Sequence, residues 1–330
     1  MSVQITIIGL GQVGSSIGLA LAGQKNIKRV GHDKNVGAAR ASQKAGAVDE
    51  TNYNLPSSVS SANIVLLCIP LSDIRETLEI IASDLQEGTV VMDTAPAKAA
   101  VAAWAQELLP QGRYYIGLTP AAGVEYLHGF DLGVDSARAN LFRKGQFLIN
   151  APHGAPGEAV KLATDLVELL GAQAILSDSM EADGLLASTH ILPQLIAAAL
   201  LDATVDQPGW RDARKMAARP YATAAAAFAC QDEAGSLGVA ALKNRENVVR
   251  VIDAYLTSLK DLRDKISAGD DASVATFLED AFKAHTRWLN ERSKADWEGA
   301  EKENPDVPSF GERFSHMFMG RFADRSKKNK

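Results

Sequence analysis

A glycine-rich turn that follows an apolar strand constrains the fold of this chain more than any other feature. Residues 3–8 form a short, apolar, β-branched run, and Gly9, Gly11 and Gly14 follow it as G-x-G-x-x-G, where a helix is predicted over 13–22. In such a turn the first glycine permits the bend, the second lets the backbone approach a pyrophosphate, and the third lets the helix pack on the strand. The pattern predicts that residues 1 to about 95 form a Rossmann unit that binds a nicotinamide dinucleotide.

An acidic residue at the end of the second predicted strand supports this prediction. Asp33 lies about 20 residues after the glycines, where a carboxylate accepts hydrogen bonds from the adenosine ribose. It would repel a 2′-phosphate, which favours NAD, although the neighbouring Lys34 keeps NADP possible. The predicted cofactor-binding residues are Gly9, Leu10, Gly11, Gln12, Val13, Gly14, Asp33 and Pro70.

Strands and helices alternate along the first half of the chain. Apolar runs predict strands at 3–8, 28–31, 63–69, 89–92, 114–118, 146–149 and 172–176, with helical spacing between them. This alternation predicts a doubly wound, parallel α/β sheet over residues 1–178. Beyond it, segments rich in alanine and leucine predict helices over 185–203, 222–229, 236–266 and 272–290. We expect an all-helical substrate and dimerisation domain over 179–290, and a polar tail over 291–330.

Composition and charge argue against several classes of protein. The formal net charge of -6 disfavours a nucleic-acid partner, and 46% hydrophobic residues suffice for a core without disulfides. The cysteines and histidines show no zinc-binding spacing, so no metal is expected. The apolar stretch at 185–201 is too short and too interrupted by polar residues to span a bilayer. Because the N-terminus lacks a signal-peptide pattern, we expect a cytoplasmic protein without a membrane partner.

Six segments lie along the chain in a characteristic order. They are GLGQVGSSIGLAL, GHDKN, VMDTAPAK, IGLTPAAGVE, GWRDARKMA and LGVAALKNRE. In this order they resemble the prephenate and arogenate dehydrogenase family, and the resemblance covers about residues 1–265. It implies a Rossmann domain, a helical dimerisation domain, a homodimer and a small carboxylate substrate. It further implies the NAD(P)-dependent oxidative decarboxylation of prephenate or arogenate in tyrosine biosynthesis.

The chain departs from this family at the positions that carry its chemistry. Thr119 stands where the resemblance places the catalytic histidine, and Pro96 where it places the supporting serine. His190, on a predicted helix of the second half, titrates near neutral pH and is a candidate replacement base. Lys215 stands at the family's substrate-binding arginine. The candidate catalytic residues are His190, Thr119 and Lys215, and the candidate substrate-binding residues are Lys98, Arg211, Arg214 and Lys215.

Each of these residues also has a purely structural interpretation, and two other functions fit the sequence. The histidine can be a core residue, the threonine a strand end, and the cations a solvated helix face. The chain can be a dehydrogenase or reductase of another small carboxylic acid. It can also bind a dinucleotide without turnover, an interpretation that the departures at Thr119 and Pro96 favour.

Overall fold

One eight-stranded sheet forms the first half of the molecule in the computed structural model, which describes residues 2–129, 132–230 and 234–294. The strands are β1 Val3–Ile8, β2 Ile27–His32, β3 Glu50–Thr51, β4 Ile64–Leu67, β5 Val90–Asp93, β6 Tyr114–Ala121, β7 Gln146–Asn150 and β8 Gln173–Ser177. They lie in the order β3-β2-β1-β4-β5-β6-β7-β8. The predicted Rossmann-type sheet, followed by helices, is confirmed.

The sheet is parallel except between β6 and β7, which corrects the prediction of a parallel sheet throughout. β6 pairs antiparallel with β7, so that Leu118 faces Ile149, and β7 then pairs parallel with β8. A parallel pair needs a long crossover connection, usually a helix. The described part of the segment that joins β6 to β7 contains only short 3₁₀ turns, whereas α6 Gly157–Leu169 joins β7 to β8.

Helices cover both faces of the sheet and bury its apolar side chains. In the first half they are α1 Gln12–Ala20, α2 Val36–Lys44, α3 Leu55–Val59, α4 Leu71–Ile81, α5 Lys98–Leu108 and α6. Ile5 and Ile7 point to the face under α1, α2 and α6, while Ile8 points to the opposite face, under α4 and α5. Because both faces are buried there, the central strands β4 and β5 are almost continuous apolar runs, and their positions could be predicted from sequence.

The second half is helical and packs on the α4–α5 side. Its helices are α7 Ser179–Leu186, α8 Leu192–Thr204, α9 Trp210–Met216, α10 Arg219–Ala226, α11 Ala234–Lys243, α12 Arg245–Ala268 and α13 Asp271–Lys294. The single helix predicted over 236–266 is wrong, because the chain breaks at Asn244. Ile191 and Val248 join the core cluster on this face of the sheet. The domain boundary at 178 stays a prediction, and the predicted tail beyond Lys294 lies outside the described residues.

A π-helical turn over Ala187–Ile191 separates α7 from α8. Pro193 has no backbone N–H, so the regular ladder of helical hydrogen bonds cannot pass through this point unchanged. Beside it, the carbonyl oxygen of His190 accepts from the side-chain amide of Gln194, at 2.8 Å. Such turns interrupt helices frequently at functional sites, and this one contains the candidate base.

Candidate active site

A cleft of about 180 Å³ opens at the carboxyl ends of the central strands. β1 and β4 are neighbours there, and the chain leaves β1 toward one edge of the sheet and β4 toward the other. In open α/β sheets, ligands bind at such a switch point. Most of the lining comes from the turns after β1, β4 and β5. The lining residues are Gly11, Gln12, Val13, Cys68, Ile69, Pro70, Leu71, Thr94, Ala95, Pro96, Leu132, Gly133 and Ser236.

The glycine turn fits a dinucleotide because it leaves no room for side chains where the backbone must bend. Gly9 has a φ of +90°, and a Cβ there would lie 2.3 Å from the carbonyl oxygen of Cys68. A Cβ on Gly14 would lie 2.0 Å from the carbonyl oxygen of Gly9. No side chain caps the N-terminus of α1. The positive end of the helix dipole is therefore directed at the cleft, where a pyrophosphate would bind.

Asp33 lies beside this turn with its carboxylate held in place. Its Oδ2 accepts from the amide of Leu10 at 2.7 Å, and its Oδ1 accepts from the amide of Asn35 at 2.7 Å. Each oxygen retains a second lone pair for a ribose hydroxyl. Leu10 itself does not reach the cleft: its side chain is fully buried in the core and its amide is used by Asp33. The predicted cofactor contact through Leu10 is therefore replaced by a role in orienting Asp33.

Two residues at the cleft show which chemistry the walls can support. Burial raises the pKa of the Cys68 thiol to about 12, so this cysteine is an unreactive wall residue rather than a nucleophile. Ser236, from α11 in the helical half, accepts a hydrogen bond from the amide of Leu71 at 2.9 Å. Within the described ranges no cluster of His, Cys, Asp or Glu could hold a metal ion. The helical half thus contributes directly to one wall of the cleft.

Lys98 does not reach a ligand, which corrects its predicted role in substrate binding. Its side chain is fully buried, and its ammonium donates to Asp93 Oδ1 at 2.9 Å, to the Asp93 carbonyl at 3.1 Å and to the Leu118 carbonyl at 3.0 Å. An ammonium has three N–H groups, so none remains for a substrate carboxylate. Burial lowers the pKa of Lys98, and the charge of Asp93 opposes this shift.

The phenol of Tyr115 and the carboxylate of Asp183 form a buried cluster with Lys98 and Asp93. The Tyr115 hydroxyl donates to Asp93 Oδ2 at 2.5 Å, and burial together with the Asp93 charge raises the pKa of Tyr115 well above its ordinary value. The Asp183 carboxylate accepts from the amides of Lys98 at 2.6 Å and Ala99 at 3.2 Å, at the N-terminus of α5. Burial raises the pKa of Asp183 despite these two bonds. The cluster joins the sheet to α7.

Asn244 extends the connection between the two halves. Its side-chain amide donates to the Asp183 carbonyl at 2.7 Å, from the break between α11 and α12. Asn247 donates in turn to Asn244 Oδ1 at 3.0 Å. This buried polar network holds α7, and with it the π-helical turn that follows, against the end of β5. Sequence reasoning missed Asp93, Tyr115 and Asp183, because nothing local in the chain indicates that they meet.

His190 lies in the π-helical turn and is half-buried. Burial lowers its pKa, and the positive charge of Lys98 lowers it further. The imidazole is therefore neutral at neutral pH and able to accept a proton. One turn further on, Gln194 Oε1 is buried and has no hydrogen-bond partner among the described residues.

Thr119 occupies β6 next to the buried cluster. It is 5% exposed, and its hydroxyl donates to the Ala95 carbonyl at 3.1 Å. With its proton engaged in this bond, the hydroxyl can only accept from a ligand. Because a neutral alcohol oxygen is a very weak base, Thr119 can offer a ligand a hydrogen-bond acceptor but not a general base.

The candidate cations of α9 are not at the cleft in the single chain. No residue of α9 is buried, and Arg211, Arg214 and Lys215 are all exposed. Lys215 forms an ion pair with Asp212 at 2.7 Å, on a surface where both side chains are mostly exposed. The structure thus brings together the glycine turn, Asp33 and Pro70, and leaves the α9 cations outside that group.

Comparison with known proteins agrees with this geometry. Residues 17–176 match the family model described as the nucleotide-binding domain of prephenate dehydrogenase. Over 284 residues the chain is 25% identical to the cyclohexadienyl dehydrogenase of Zymomonas mobilis, covering 85% of this chain and 94% of that protein. It is 26% identical to the prephenate dehydrogenase of Lactococcus lactis, covering 85% of this chain and 76% of that protein.

Over most of its length the chain is thus similar to prephenate and cyclohexadienyl dehydrogenases. Its fold is similar to the crystal structure of prephenate dehydrogenase from Aquifex aeolicus in complex with hydroxyphenyl propionate and NAD+. The TM-score is 0.75 at 20% identity, and the match covers 87% of this chain and 98% of that one. These similarities support an NAD-dependent dehydrogenase with a nucleotide-binding domain.

Proposed function

We propose that this protein uses NAD to oxidise a cyclohexadienyl carboxylate, prephenate or arogenate, with loss of carbon dioxide. The observation that carries the proposal is the cleft at the switch point, walled on one side by the helical half through Ser236. The similar proteins named as cyclohexadienyl and prephenate dehydrogenases support this substrate class. The product is tyrosine itself from arogenate and the corresponding aromatic 2-oxo acid from prephenate.

NAD is the hydride acceptor, and the residues around its site fit it. The glycine turn admits a pyrophosphate, and the immobilised Asp33 carboxylate accepts from the ribose while it repels a 2′-phosphate. Lys34, the neighbouring cation, forms an ion pair with Asp73 at 3.0 Å. This pairing diverts positive charge from a 2′-phosphate, and it favours NAD over NADP.

His190 is the proposed general base. The ring hydroxyl gives its proton to the imidazole as the hydroxyl carbon loses hydride and becomes a carbonyl. The ring carboxylate then leaves as carbon dioxide, its bonding electrons complete the aromatic ring, and the proton returns to the new phenolic oxygen. The lowered pKa keeps His190 neutral and ready to accept this proton. Thr119 contributes an acceptor oxygen and Pro96 adds no ionisable group.

The first experiment mixes the pure protein with prephenate or arogenate and NAD or NADP, and follows the absorbance of the reduced cofactor. We expect turnover with NAD, and with either substrate or both. His190→Asn is expected to lower kcat by about 10²–10⁴-fold, the usual contribution of a general base. His285→Asn, an exposed histidine on α13, serves as the matched control and is expected to retain wild-type rates.

The pH dependence of kcat gives an independent check on the base. A histidine with a lowered pKa is protonated only at pH values below its ordinary 6.5, so wild-type kcat falls on the acid side of that value. His190→Asn should lose this acid limb. A wild-type rate in His190→Asn would remove His190 from the mechanism, and no turnover with any of the four substrate and cofactor pairs would refute the proposed reaction.

The substrate carboxylates and the assembly of the protein are linked in this proposal. The helical half exposes large apolar side chains, among them Met216 at 81%, Leu242 at 74% and Phe282 at 70%. A second copy of the chain that covers them would form a homodimer, and α9 would carry Arg211, Arg214 and Lys215 to the dimer interface near a substrate site. Analytical ultracentrifugation should give twice 35.1 kDa; a monomer would refute this arrangement.

One apolar helix bears on the location of the protein. Among the described residues, the stretch Ser179–Thr204 is long and apolar enough to cross a membrane by length and composition alone, and only 28% of its most apolar window is buried. Asp183, which lies in this stretch, accepts a buried hydrogen bond from the Lys98 amide at the start of α5, so the stretch packs against the rest of the protein. We assign its exposed side to the dimer interface, and infer a cytoplasmic protein with neither membrane nor nucleic-acid partners.

A second candidate function is the oxidation of another small carboxylic acid. The observation that favours it is Thr119, whose hydroxyl is engaged with the Ala95 carbonyl where the resemblance places a catalytic histidine. A panel of hydroxy acids assayed with NAD separates the two functions. Turnover of a panel member without turnover of prephenate or arogenate would establish the second function.

A further inference from the structure

The end of the last described helix reaches back to the strand that carries Thr119. Of the 24 residues of α13, all of which the structure describes, Arg292 alone is buried. It is 8% exposed, and its Nη2 donates to the carbonyl oxygen of Ala122 at 2.5 Å. The two residues are 170 positions apart in the chain. A guanidinium thus connects the C-terminal helix to the Rossmann half.

Ala122 belongs to the segment 119–123, which is tightly held on its other side. The amide of Gly123 donates to the Leu141 carbonyl at 2.8 Å. A Cβ on Gly123 would lie 2.4 Å from the carbonyl oxygen of Arg143, so the backbones are in close contact there. The segment therefore lies between residues 141–143 and the guanidinium of Arg292, and a loss of either contact frees it to shift.

A shift of this segment would change the surroundings of the cofactor. Pro120 and Ala122 line a second cavity of about 170 Å³, and this cavity shares Gln12 and Val13 with the dinucleotide cleft. Thr119 precedes Pro120 and binds the Ala95 carbonyl, which is part of the cleft wall. The position of segment 119–123 thus sets part of the wall of both cavities.

We propose that Arg292 is a positioning residue that fixes segment 119–123 against the dinucleotide cleft. Placing a guanidinium in the interior is costly, and surface helices such as α13 do not need one for their own stability. A planar guanidinium gives its hydrogen bond a fixed direction, which suits a residue that must hold a backbone carbonyl in place. The kinetic consequence, but not the contact itself, rests on the proposed dehydrogenase function.

Kinetics of three variants test the kinetic consequence. Arg292→Met removes the donor, and because small misplacements near reacting groups cost up to about 10²-fold in rate, we expect kcat to fall about tenfold or more. The dissociation constant for NAD should stay within about twofold, since the glycine turn and Asp33 are unchanged. Arg292→Lys, which keeps a charged donor, should recover part of the rate. Arg287→Met, an exposed position on the same helix, is the matched control and should match wild type.

Hydrogen exchange gives a readout that does not depend on turnover. Peptides that contain Gly123 and Tyr126 carry amides bonded within this region. In Arg292→Met these amides should exchange about tenfold faster, as expected when one charged hydrogen bond is lost, whereas the β1–α1 peptide should not change. If the wild-type protein shows no turnover, the proposed function is refuted, and hydrogen exchange alone decides the role of Arg292. Unchanged exchange in segment 119–126, or a lowered Tm with wild-type kcat, would overturn the role of Arg292.

Discussion

Replacing Lys98 with methionine tests whether this lysine is part of the fold or of the substrate site. In the structure the substitution removes a buried ammonium that lies 2.9 Å from Asp93 Oδ1, with both side chains at 0% exposure. It leaves the Asp93 carboxylate uncompensated, and it removes the donor from two buried carbonyls. Breaking a buried ion pair from one side costs about 3–5 kcal/mol of unfolding free energy.

The remaining hydrogen-bond partners of Asp93 indicate where in this range the loss of unfolding free energy should fall. Its carboxylate still accepts hydrogen bonds from the Tyr115 hydroxyl and from the Ala95 amide, and these two bonds still stabilise its charge. We therefore expect about 3 kcal/mol rather than 5. With an unfolding entropy of about 2.1 cal/(mol K) per residue, this corresponds to a fall in Tm of roughly 4–5 °C for the whole chain.

The assay is thermal and urea unfolding at one protein concentration, with two further variants. Lys28→Met breaks the pair between Lys28 and Glu50, at 2.8 Å, where the two side chains are 45% and 52% exposed; it should cost less than about 1 kcal/mol. Adding Asp93→Asn to Lys98→Met removes the uncompensated charge and should restore part of the stability. Wild-type stability in Lys98→Met, together with a raised KM for the substrate, would refute the structural role and return Lys98 to the substrate site.

Three further predictions concern the dinucleotide cleft. Asp33→Ala should weaken NAD binding by about tenfold, the loss expected for a charged hydrogen bond, and reduce the preference for NAD over NADP in titrations; an unchanged preference would mean that Asp33 does not contact the ribose. Gly14→Ala places a Cβ 2.0 Å from the Gly9 carbonyl oxygen and should abolish saturable NAD binding, whereas Gly23→Ala, with nothing within 4 Å, should not; tight binding by the Gly14 variant would contradict the geometry of the turn. Cys68, whose pKa is raised to about 12, should resist iodoacetamide at pH 8 in native protein and react once urea unfolds it, and fast native labelling would contradict the raised pKa.

Most of the sheet could be predicted because its strands satisfy local rules. The strand over Val3–Ile8 agrees residue for residue with its prediction, since a run of β-branched residues followed by glycine has few alternatives. The two-residue strand Glu50–Thr51 was missed, because so short an edge strand has no pattern of its own. The direction of β7 was missed for a different reason. Whether a strand runs parallel or antiparallel depends on how the chain returns to the sheet, which no local pattern records.

The candidate site divides in the same way. The need for glycine at positions 9 and 14 arises from the backbone of a few consecutive residues, so the sequence alone determined the dinucleotide turn. The role of Lys98 depends on Asp93 and Leu118, which lie on two different strands. No spacing in the sequence predicts that these residues contact Lys98. Only the tertiary structure could decide that this cation belongs to the interior. Backbone conformation is set by neighbours in the chain, whereas the burial of a charge is set by whatever the fold packs around it.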